Sequence, residues 1–237
     1  MALRIQLLPL ALVATVGACG AEAPGIANRI ETQDDRMKRQ EAEFNASPDI
    51  KGDDLRRRLN ALGIKDQWMS PAVEEHGVDI FKIRLPALDF ARLDKRLLAK
   101  LLLDSRYRFE LADEDQNREL AHYHGAELHE RQKATALREL AERRQLNSYP
   151  RYREGMAMSA FAPRLEAWCG YEEGQALRVI DGKWVDYQRT MVDLAVKDKS
   201  DGRALASFDC MKRVVDATTE LRRRFIGNRG REGAIDY

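Results

Sequence analysis

His122, His124 and His129 are three of the chain's four histidines, and they fall within eight residues of one another. On a helix, Glu119, His122 and His129 share one face, while His124 points away toward Leu120 and Leu128. A carboxylate and two imidazoles on one face are ligands of the kind that hold zinc, iron or copper. Glu119-x-x-His122 is also the spacing used by di-iron carboxylate bundles, which need a second such motif and two further glutamates. That second motif is missing, because His76, the fourth histidine, is followed by Gly77 and lacks the pattern. Glu119, His122 and His129 therefore stand as a candidate metal site. The plainer reading makes them polar residues on a charged helix.

Other constellations carry less. Asp113-Glu-Asp-Gln-Asn117 opens like a calcium loop, but Arg118 stands where that loop needs glycine and His124 where it needs glutamate. The acids fit the first turn of a helix instead. Met156 and Met158 suit a core or loop gap better than a soft metal. No G-x-S-x-G, H-E-x-x-H, S-x-x-K or phosphate loop occurs. Glu166, Glu172 and Glu173 sit near aromatic residues, as carboxylates of a glycosidase would, yet with 39 acids in the chain that proximity discriminates nothing. Arg222, Arg223 and Arg224, with Arg229 and Arg231, make the C-terminal end basic. They complement a helix C-terminus or dock an anionic surface, and the stretch from Phe225 to Gly230 reads as a candidate partner-binding peptide.

The remaining chemistry belongs to cysteine. The chain has three, Cys19, Cys169 and Cys210. Cys19 follows a leader in which Arg4 precedes an apolar run from Ile5 to Val16 and small residues close it, Val16-Gly17-Ala18-Cys19. This is the layout of a secretory signal, and about a dozen apolar residues fall short of the roughly 20 that span a bilayer. The leader resembles the lipobox of bacterial lipoproteins, which implies that Cys19 is lipidated and becomes the new N-terminus. The resemblance also implies export, with Gly20 after the cysteine pointing to the outer membrane where there are two. A cleaved leader without lipid is the rival. Cys169 and Cys210 are then an even pair in an oxidising compartment, which predicts a disulfide. It would close a loop of about 40 residues and add roughly 4 kcal/mol.

Removing residues 1–18 takes away one cation, Arg4, and leaves 39 basic and 39 acidic residues. That neutrality argues against a nucleic-acid binder and against a disordered polyelectrolyte. A third of the chain is charged and only 7% is aromatic, the profile of amphipathic helices with charged outer faces.

These residues need a scaffold to position them. The expected fold is mainly α, an irregular helical bundle with at most one or two short strands. The expected organisation is a signal peptide over 1–18, a lipid-anchor tether over 19–29 and a single helical periplasmic domain over 30–237, with 30–52 a possible stalk helix. Within it, the patterns predict a helix from Asp53 or Asp54 to Leu62 stopped by Gly63, and a strand over Val78–Leu85. One helix should run over Leu88–Arg106, and a long histidine-bearing helix, capped by Asp113 or Asp115, to about Leu146. Ser159–Cys169 should be a short helix. Asp181-Gly182 signals a hairpin, but Trp184, Tyr187, Met191, Leu194 and Ala195 fall at helical spacing, so a helix capped by Asp181 is expected there. A last helix covers Leu205–Phe225.

The leading expectation is a membrane-anchored, non-enzymatic binding or scaffold module of the cell envelope. It would be tethered by lipid on Cys19, use no cofactor, bind no nucleic acid and meet an envelope protein or cell-wall partner. The alternatives are a metal-binding protein or metal-dependent enzyme built on Glu119, His122 and His129, and a cell-wall hydrolase or hydrolase inhibitor.

Overall fold

Asp53 and Asp54 stand in the first turn of helix α1 (Gly52–Ala61), where carboxylates favour the exposed N–H groups, and Gly63 ends it at φ +95. This computed structural model describes residues 52–70, 73–75, 78–105, 108–197 and 202–226, with Pro24, Gly25, Ile50 and scattered positions between 34 and 42. The leader, Cys19 and most of the expected tether and stalk lie outside the described residues.

The predicted strand at Val78 is present as β2 (Val78–Ile83), and its partners come from both sides in sequence. It pairs antiparallel with β1 (Val73–Glu75) and parallel with β3 (Arg108–Leu111). Parallel neighbours need a crossover, supplied by α2 (Ala87–Arg92) and α3 (Lys95–Asp104). Phe81 and Phe109, paired in register, stack with ring centroids 5.7 Å apart. The single helix expected over 88–106 is thus two. The break falls at Asp94, whose carboxylate accepts from the Leu97 N–H at 2.9 Å and starts α3 afresh. A side chain that satisfies an orphan N–H turns a continuous apolar pattern into two segments, and Leu97 is left 48% exposed.

The long helix α4 (Glu114–Glu142) starts from Asp113, whose carboxylate accepts from the Gln116 N–H at 2.9 Å. Asn117 locks the preceding strand, accepting from the Leu111 N–H at 2.8 Å and donating to the Leu111 carbonyl. The acidic run is a helix start, as its residues require.

After α5 (Met158–Trp168), the segment expected as one helix is a hairpin followed by a helix. Strand β4 (Leu177–Ile180) pairs antiparallel with β5 (Trp184–Tyr187), and α6 covers Arg189–Lys197. Asp181 and Gly182 both take positive φ, +51 and +65, the turn chemistry that Asp-Gly supplies. The helical spacing belonged only to the second half, where Met191 and Ala195 are buried. The last expected helix is also two, α7 (Arg203–Ala217) and α8 (Thr219–Arg222), parted at Thr218. Phe225 then folds back as a bridge to Val185 and is buried, so the expected peptide begins in the core. Cys169 and Cys210 lie at disulfide distance, S–S 2.09 Å, both buried.

The class is mainly α, as expected. The described strands number five, in a three-stranded and a two-stranded sheet, more than the one or two anticipated. Two hydrophobic clusters form. The first gathers Leu55, Leu59, Ile64, Ile83, Leu98 and Leu120; the second gathers Leu140, Met158, Phe161, Leu165, Met211 and Leu221. Helix α4 gives Leu120 to the first and Ala136 and Leu140 to the second.

Candidate functional site

Between its two core-facing ends, α4 carries the histidines. His122 and His129 line one cleft of about 360 Å³. Arg96 reaches it from α3; Tyr123, Glu127 and Glu130 join from α4; Thr219 and Arg223 close it from the region of α8. The cleft therefore lies where the elements of the two cores come together along one helix.

Glu119, the third residue of the predicted set, is not among those lining the cleft. It pairs with Lys95 at 3.2 Å. Among the described residues, no three His, Cys, Asp or Glu side chains gather as a metal-holding group. His124 lies off the cleft, as its angular position predicts, and burial followed by the charge of Arg131 pushes its pKa down.

His129 is the unusual member. It is 8% exposed, and among the described residues neither ring nitrogen has a hydrogen-bond partner. A neutral imidazole carries one donor and one acceptor, and leaving such groups buried and unpaired costs about 1–3 kcal/mol. Burial pushes its pKa below 6.5, Arg222 and Lys133 add to the effect, and Glu130 and Asp216 oppose it. The ring is therefore neutral at neutral pH. Around it, Glu127 lies between Arg96 at 3.7 Å and Arg131 at 3.9 Å. Lys133 donates to the Thr219 hydroxyl oxygen at 3.0 Å, which leaves that hydroxyl's own proton to donate elsewhere.

A polar lattice ties α4 to α7 and α8. Arg222 donates to Gln132 at 2.6 Å and to Asp216 at 3.3 Å, Lys212 meets Asp216 at 2.9 Å, and Arg213 meets Glu139 at 2.9 Å. The basic C-terminal run is thereby divided. Arg222 turns inward, Arg223 lines the cleft and Arg224 lies over the Trp184 ring at 5.6 Å. Arg229 and Arg231 lie outside the described residues.

The other candidates are structural. Glu166 is 1% exposed and accepts from the N–H groups of Gly174, Ala176 and Leu177, each at 2.8 Å. Its carboxylate holds the loop between α5 and β4. Met158 is core, and the Met156 sulfur accepts from the Arg153 N–H at 3.3 Å. Sequence reasoning missed Tyr123, Glu127 and Glu130, which neighbour the histidine face on the same helix. It also missed Arg96 and Thr219, for which α4 gives no signal, and it singled out Arg223 only as part of the basic C-terminal run, not as a neighbour of the histidines.

The residues around this one small space carry two imidazoles, two guanidinium groups, two carboxylates, an aliphatic hydroxyl and a phenol. That set suits hydrogen-bonded recognition of a small polar molecule. Comparison of the chain with protein-family models, with curated proteins and with solved structures finds no match in any of the three.

Proposed function

We propose that the chain is an exported, membrane-anchored binding module of the cell envelope, and that its ligand is a small polar molecule taken up beside His129. One observation carries the binding reading: a buried imidazole with both nitrogens unpartnered borders a cleft of ligand size. A ligand that hydrogen-bonds this ring, once a small shift uncovers a nitrogen now closed to solvent, would offset the cost of its unpaired state. The lipobox-like leader ending at Cys19 and the cysteine pair at bonding distance support the export and anchoring.

The binding test is a thermal-shift titration of the protein with the small-molecule fraction of envelope extract. A rise in Tm that His129→Leu abolishes supports the reading, and an unmoved Tm refutes it. For the anchor, Cys19→Ser should release the membrane-bound pool, and unchanged membrane association counts against lipidation. A metal-centred alternative draws on His122 and His129 without Glu119, whose carboxylate Lys95 holds. Stoichiometric zinc, iron or copper in the purified protein, lost in a His122→Ala/His129→Ala double variant, would favour it.

A further inference from the structure

Within the tether expected over 19–29, Pro24 and Gly25 are docked on the body. The Gly25 N–H donates to the Trp168 carbonyl at 2.8 Å, and the buried Gln145 donates to the Pro24 carbonyl. Gly25 is packed so tightly that a Cβ here would collide with the Sγ of Cys210 and with the carbonyl oxygen and ring of Trp168. The dipeptide thus rests against the Cys169–Cys210 pair. Five peptide steps separate Cys19 from Pro24, and an extended chain covers about 17 Å in that distance. A lipid on Cys19 would hold this face of the body within that reach of the bilayer.

The segment between the two residues that hold this strap, Gln145 and Trp168, and the turn just before it are rich in arginine. From residue 143 to 164 the chain has Arg143, Arg144, Arg151, Arg153 and Arg164 against a single acid, Glu154. Arg144 directly precedes Gln145, which grips the strap, and takes φ +57 in the turn after α4. Arg151 is held out over the Tyr149 ring at 5.0 Å and donates to the Leu146 carbonyl at 2.8 Å. Arg164 lies one helical turn before Trp168, so both sit on one face of α5. Arg144, Arg151, Arg153 and Arg164 are exposed. Glu142 directly precedes Arg143 in the sequence.

We infer that this strap-and-arginine face docks on anionic phospholipid headgroups, so that the body lies on the membrane instead of swinging from it. The inference rests on the anchored reading, because the strap places the arginines at the bilayer only if the chain is attached there. Guanidinium groups suit phosphate, and each cation near an anionic leaflet contributes about fivefold to partitioning. The cleft at His122 and His129 is lined by other elements.

The test is hydrogen–deuterium exchange of the full chain on two vesicle types, phosphatidylcholine alone and an equal mixture with phosphatidylglycerol. The expected result is slower amide exchange across 143–164 on the mixed vesicles only, reversed by salt. Arg144→Glu/Arg151→Glu/Arg164→Glu should abolish the difference, lowering the phosphatidylglycerol preference at least about tenfold. Equal exchange on both vesicle types overturns the inference. So does protection that survives both salt and the triple variant. The salt arm on the unaltered chain decides the question even if the triple variant fails to fold. Flotation on phosphatidylcholine alone reads the anchor separately: failure there refutes the anchoring, whereas phosphatidylglycerol-dependent protection tests the headgroup contact itself.

Discussion

Replacing His129 by leucine should stabilise the ligand-free protein. The ring is 8% exposed and both its nitrogens lack partners. Its unpaired polar atoms cost about 1–3 kcal/mol, and leucine removes them while filling a similar space. Misfit of the new side chain takes back up to about 1.5 kcal/mol, which leaves a net gain of about 1 kcal/mol. The same substitution should flatten the pH profile. Burial, with Arg222 next, holds the folded-state pKa below 6.5. As pH falls through 6.5 the unfolded chain binds a proton that the folded chain refuses, so stability is full above 6.5 and declines toward acid. One such group accounts for at most about 1.4 kcal/mol per pH unit. Urea unfolding of both proteins at about pH 7.5 and about pH 5.5 measures both effects. His124, shifted in the same direction, keeps part of the slope in the variant. A variant less stable than its parent by more than about 1 kcal/mol at neutral pH would show that the ring is satisfied. An unchanged acid slope would show that it does not titrate as its surroundings dictate.

Glu166→Ala orphans the buried N–H groups of Ala176 and Leu177 and frees the part-buried one of Gly174, and should cost about 2–5 kcal/mol, read as a lower urea midpoint with unchanged m; a loss below about 1 kcal/mol would refute the role of this carboxylate. Cys169→Ala/Cys210→Ala should cost about 2–4 kcal/mol in the same assay, and mass spectrometry of non-reduced protein should join the two cysteine peptides. Two free thiols in the non-reduced protein would overturn the bond. Gly25→Val should expel the strap, so that the residue 25 amide exchanges at the rate of a free peptide while the cores keep their protection; retained slow exchange at that amide would mean the dock tolerates a side chain.

Local chemistry made part of this fold legible. Asp53 with Gly63, the acidic run opening at Asp113, and Cys169 with Cys210 each act over a span that a sequence pattern can hold. The angular argument was enough to bring His122 and His129 to one side of α4 and to send His124 to another. The misreadings share a cause. Apolar spacing ran unbroken through Leu93, Leu97 and Leu101, and through Trp184, Tyr187 and Met191, so periodicity outvoted a single capping or turning residue. Asp94 and Asp181-Gly182 then decided the backbone, because an orphan N–H or a positive φ must be satisfied where it occurs. The candidate site failed at a different distance. Lys95, on another helix, draws Glu119 aside, and Thr219 and Arg223 close the cleft from some ninety residues away. A helical wheel contains only its own helix.

That separation explains why the middle of α4 is where function should be sought. Leu120 commits one end of the helix to the first core, and Ala136 and Leu140 commit the other to the second. The two cores anchor the helix without needing apolar side chains from His122 to Lys133, although Tyr123 still leans on the first core. A segment relieved of packing duty can carry groups that lower stability. Most polar groups there are paired: Glu127 with two arginines, Gln132 with Arg222 and Lys133 with Thr219. His129 alone among these is buried with both ring nitrogens unpartnered. Buried polar atoms on other side chains, the Thr218 hydroxyl and the Tyr171 phenol among them, also lack a partner among the described residues; His129 differs from them in lining the cleft, and that departure from local consistency is what the proposed binding role explains.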